Sequence, residues 1–147
     1  MPILIGLFTV FAGVLTTVQS GANATLNKSL DQPIVAALVV VATNLVVYLA
    51  VAPFVGLSWP GSDRIAQTPW WAWMGGLFGG IYVLSAIFFA ERLGAAIFTG
   101  LTVTAGIVTS IALDHFGLIG FQQHSAGLWR ILGGAVMIGG LLLVSFT

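Results

Sequence analysis

The side chains with the most chemical interest here are uncharged amides and hydroxyls set at helical spacing inside apolar runs. Gln19, Asn23 and Asn27 follow one another at intervals of four, with Thr9 and Thr16 preceding them. Residues four apart stack along one helix face, so the amides form a stripe. Asn44 and Tyr48 repeat that spacing in the next apolar run, Tyr82 and Ser85 continue a third, and Thr99, Thr102, Gly106 and Thr109 lie at helical spacing in a fourth, with Ser110 adjacent. Each amide offers a carbonyl acceptor and an N–H donor. Such groups can hold a polar solute by hydrogen bonds, or they can tie packed helices together.

The same inventory excludes other chemistry. Cysteine is absent, so disulfides, iron–sulfur clusters and thiolate zinc sites are ruled out. Two histidines, His115 and His124, cannot by themselves make a metal site or a triad. No HExxH, GxSxG or P-loop pattern occurs, so neither an enzyme nor a cofactor is expected. No carboxylate lies in the middle of an apolar run, which disfavours a buried Asp or Glu exchanging protons for a cation. The net charge is zero and there is no basic patch, which argues against a nucleic-acid partner.

The elements that position these groups follow from charge and hydropathy. Of 147 residues, 59% are hydrophobic and only 5% are charged. A soluble domain carries about a quarter charged residues. Five stretches are each close to the roughly 20 residues that a helix needs to cross the hydrocarbon core. They fall at about 3–25, 33–56, 69–90, 94–113 and 128–146. The expected fold is all-α: one domain over 1–147, a five-transmembrane-helix bundle in the lipid bilayer. Lipid requires every backbone group to be paired internally, and the runs lack the period-two alternation of a barrel. The N-terminal run lacks a basic flank, so it is read as a retained first span.

The breaks are legible too. Pro33 and Pro69 open spans two and three, and Pro53 falls in the last turn of span two. Pro60-Gly61 marks a loop, Glu91-Arg92-Leu93 is a very short connection, and Asp114 to Gly127 reads as a longer one. Trp70, Trp71 and Trp73 have the character of interfacial residues. A tryptophan at the mouth of a site would also attract organic cations. Gly75, Gly76, Gly79 and Gly80 form two small-residue faces suited to close helix packing.

Orientation is left open by the loops. With five spans the termini lie on opposite sides. An inside N-terminus puts Arg64 and Arg130 inside, and Lys28 and Arg92 outside. Lys and Arg bias sets orientation, and here it is a tie. A chain without bias can insert both ways, and two inverted copies can pair as an antiparallel homodimer. Inverted halves with a site between them are a common transporter design. The alternative is an orientation set by other cues.

Three groups of residues also resemble a known family. Gln19, Asn23 and Leu26 in span one, Pro69-Trp70-Trp71-Ala72-Trp73-Met74-Gly75-Gly76 opening span three, and Asp114-His115-Phe116-Gly117-Leu118 after span four are similar to the YdcZ-type small membrane proteins of the drug/metabolite transporter superfamily. The five-span layout matches over essentially the whole chain. The resemblance implies a bacterial inner-membrane location and single-domain members working as dimers. It also implies a glutamine after the span-four glycine, where this chain has Ile107 after Gly106. If that glutamine lines the family's cavity, the solute here is smaller or more apolar.

The expected function is therefore a small-molecule transporter working by alternating access as an inverted homodimer. Its cavity would be walled by Gln19, Asn23, Asn44, Tyr48, Tyr82, Ser85, Thr99 and Thr102, and its solute would be small and polar or cationic. A dual-topology small-ion channel and a non-transporting assembly partner are the alternatives. A carrier saturates and shows counterflow, a channel does neither, and an assembly partner shows no flux.

Overall fold

Prolines and left-handed residues, rather than polarity, end the helices. The computed structural model of the chain describes residues 2–146, and all the regular structure in it is helical. Helix α1 spans Pro2–Leu30 and α2 spans Pro33–Val55. A short helix α3 covers Ser62–Gln67, and a 3-10 turn over Trp70–Met74 leads into α4, Gly75–Leu93. Helix α5 spans Ala95–Phe116 and α6 spans Leu128–Ser145. Five helical segments are long and apolar enough to cross a membrane.

Three spans run further than hydropathy suggests; α4 continues to Leu93, so Glu91-Arg92-Leu93 is helical rather than a connection. Helix α1 continues five residues past Thr25, because Leu26 to Leu30 contain no breaker. It stops where Asp31 turns left-handed (φ 50°), ahead of Pro33. The connection to α2 is thus Asp31 and Gln32 alone. Helix α5 likewise runs three residues past Leu113 and stops at Gly117, whose φ of 62° suits glycine. Asp114 and His115 are therefore helical and do not belong to the loop. The Pro60-Gly61 loop contains α3, which begins after Gly61 and has Asp63 in its first turn, where a negative charge favours the helix dipole.

The chain forms two compact units, Met1–Arg92 and Leu93–Thr147. In the first, the buried residues are mostly small or polar: Ser20, Asn23 and Ala24 from α1, Ala36 from α2, Ala86 and Ala90 from α4, joined by Val40 and Ile87. Large apolar side chains such as Phe8, Phe11, Val46, Leu49, Phe54 and Phe78 point outward. This inverts a soluble fold. Lipid solvates leucine and phenylalanine as well as a core does, so helices associate through small residues and hydrogen bonds instead.

In the second unit α5 and α6 pack antiparallel. Gly100 lies against Leu141 and Gly134 against Ile111, and Asp114 pairs with Arg130. An added Cβ at Gly100 would fall 2.6 Å from Leu141 Cδ1. The missing side chain makes room for the leucine.

Candidate functional site

Only the C-terminal part of the polar stripe of α1, from Gln19 to Asn27, is turned to the buried side of that helix; Thr9 and Thr16 are exposed. Thr16, Ser20, Asn23 and Asn27 recur at three- and four-residue steps and share one face. Asn23 is 5% exposed. It makes no side-chain hydrogen bond among the described residues, so its amide capacity is unspent. Gln19 is half-buried beside it.

Helix α4 meets this face at three levels. Ser20 Oγ donates to the Thr16 carbonyl at 3.1 Å and lies 3.3 Å from the Tyr82 hydroxyl. In the contact with Tyr82 either hydroxyl can be the donor. One turn past Asn23, Asn27 Nδ2 donates to the Ile87 carbonyl at 3.4 Å. At the helix end Lys28 Nζ lies 2.9 Å from Glu91 Oε1. Residue numbers rise together along both helices, so α1 and α4 run parallel, as first and third spans of one bundle must.

The three links differ in strength. The Lys28–Glu91 pair is largely exposed and is worth about 0–1 kcal/mol. The Asn27 bond is long, yet it has a directional consequence. A carbonyl only accepts, so the amide must turn its nitrogen to Ile87 and its oxygen away. That oxygen, Asn27 Oδ1, is buried with no hydrogen-bond partner among the described residues. An unmet buried acceptor costs about 1–3 kcal/mol.

The other expected wall residues divide. Asn44 is half-buried and continues the face of α2 that carries Ala36 and Val40. Tyr48, one turn further, is 67% exposed and points outward. Ser85 is half-buried on α4. Thr99 and Thr102 belong to the second unit. The Thr102 hydroxyl is spent on its own helix, on the carbonyls of Phe98 and Thr99. Thr9 and Thr16 do the same with Ile5 and Ala12. Such back-bonding satisfies the hydroxyl and leaves little for a solute.

Two features escaped the residue-by-residue reading. Ser20 is buried between Thr16 and Tyr82, and its position three residues before Asn23 is the signal that would have found it. Asp114 and Arg130 form an ion pair at 3.2 Å across the α5–α6 connection. The signal there is that they are the only charged residues after Arg92, with opposite signs. The neighbouring loop is held to the end of α5: His124 N–H donates to the Asp114 carbonyl at 2.7 Å, Ala126 N–H to His115 Nδ1 at 3.1 Å, and Gln123 Nε2 to the His115 carbonyl at 3.1 Å. His115 acts here as an acceptor that orders the loop.

Comparison with known proteins identifies the family. A family model described as "Putative inner membrane exporter, YdcZ" matches residues 4–143. No curated protein and no solved structure matches the chain.

Proposed function

We propose, from the premise that this chain belongs to the YdcZ family of multi-pass inner-membrane proteins, that it carries a small polar or cationic organic solute by alternating access as an inverted homodimer. The observation that carries this reading is the inward face of α1. Asn23 is buried with its amide unspent, and Asn27 turns an unpartnered oxygen inward. Structural glue would be expected to use its hydrogen bonds. Groups left unmet in a bundle suit a visitor that supplies the missing donor, such as an ammonium or hydroxyl.

Gln19, Asn23 and Asn27 would hold the solute, with Ser20 beside them on α1 and Tyr82 closing the wall from α4. Asn44 and Ser85 extend the polar lining within the same unit. The inverted dimer rests on the tie of Lys and Arg between the two sides. Ten helices in two opposed halves make an ordinary carrier, whereas five are a small cage.

The test is flux in proteoliposomes loaded with a panel of small organic cations and neutral polar solutes. Saturable uptake with counterflow supports a carrier. Non-saturating flux without counterflow would replace it with a channel, and absence of flux across the panel would leave an assembly role.

A further inference from the structure

The second unit contains a cleft that the transport reading does not use. It is an open groove of about 490 Å3 between α5 and α6, within the ~300–1,000 Å3 usual for small-molecule sites. Asp114, Arg130 and Ser110 supply its polar edge, and Ile111 and Met137 its apolar floor. Gly134 deepens it, since an added Cβ there would sit 3.4 Å from Ile111 Cδ1.

The polar edge has capacity to spare. The ion pair joins Arg130 Nη1 to Asp114 Oδ2, using one of five guanidinium donors and one of two carboxylate oxygens. Both side chains stay partly exposed, at 44% and 27%. Ser110 makes no hydrogen bond among the described residues, whereas Thr43 and Thr102 bond back to their own helices. The edge therefore presents one cation, one anion and one free hydroxyl, above an apolar trough.

The position is that of lipid headgroups. Arg130 is the third residue of α6, and the adjacent Trp129 is 84% exposed, as an interfacial tryptophan is. We propose that this cleft binds the headgroup of a primary-amine zwitterionic phospholipid. The phosphate takes the remaining guanidinium donors of Arg130, the ammonium donates to the free oxygen of Asp114, and one acyl chain lies over Ile111 and Met137. A purely anionic head would set its charge against Asp114. A quaternary ammonium has no N–H to donate to it.

The experiment is thermal unfolding of the purified full-length protein titrated with phosphatidylethanolamine, phosphatidylcholine or phosphatidylglycerol of matched chains. The expected result is that phosphatidylethanolamine raises the midpoint by several degrees more than the other two. Asp114→Asn is expected to erase its advantage over phosphatidylcholine. Equal stabilisation of the wild-type protein by all three lipids overturns the proposal without any variant. Stabilisation by soluble glycerophosphoethanolamine as large as that by the lipid would also overturn it, by assigning the cleft to a soluble zwitterion.

Discussion

Asn27 gives its side-chain N–H to the backbone carbonyl of Ile87, 60 residues away, and so leaves its own oxygen buried with no hydrogen-bond partner among the described residues. One bond thus ties α1 to α4 and leaves an unmet acceptor beside the tie.

That relationship orders two substitutions. Asn27→Ala removes a long bond, worth about 0.5–1.5 kcal/mol, together with an acceptor whose burial costs about 1–3 kcal/mol, so stability should change little or rise. Asn27→Asp keeps the buried acceptor, loses the donor and sets a carboxylate against the Ile87 carbonyl. Thermal unfolding should rank Asp well below Ala. The reverse order would mean that the oxygen has a partner.

Gln19→Ala and Asn23→Ala separate a solute wall from helix glue. Each should abolish flux while size-exclusion profiles and unfolding midpoints stay near wild type, because neither side chain makes a hydrogen bond within the described residues. Intact flux with a lowered midpoint would mark the stripe as packing.

Two glycines should behave oppositely. Around Gly76 nothing lies within 4 Å of an added Cβ, so Gly76→Leu costs the isolated chain little. Loss of the dimer in that variant, with helical content retained, would show that the face meets another copy. Gly100→Ala places its methyl on Leu141 and should destabilise the chain by about 1 kcal/mol, with Leu141→Ala restoring part of it. Independence of the two substitutions would remove the α5–α6 contact as the cause.

Topology is testable with single cysteines, since the chain has none of its own. The Lys28–Glu91 pair puts the α1–α2 turn and the end of α4 at the same end of the first unit. Cysteines at Lys28 and at Arg92 should therefore react alike with an impermeant reagent in intact cells, and one at Arg64 in complement. For a chain inserting both ways, each should label in about half the molecules. Complete labelling at Lys28 with none at Arg64 would fix the orientation and end the inverted homodimer.

Charge and hydropathy determined the class of this protein, the number of spans and the polar stripe of α1. These depend on local composition and on a 3.6-residue period, both of which survive without knowledge of neighbours. Exact span ends were less legible. Lipid solubility stops at Thr25 and Leu113, but a helix stops where the backbone cannot continue, at Asp31 and Gly117. Which hydroxyls remain available was hidden as well, because Thr102 and Ser110 differ in hydrogen bonding and hardly in residue type. Only the tertiary structure decided that Asn27 faces Ile87, that Ser20 meets Tyr82 and that Asp114 meets Arg130. Each pairing joins distant parts of the chain, and its geometry is set by how the helices approach, which no local pattern encodes.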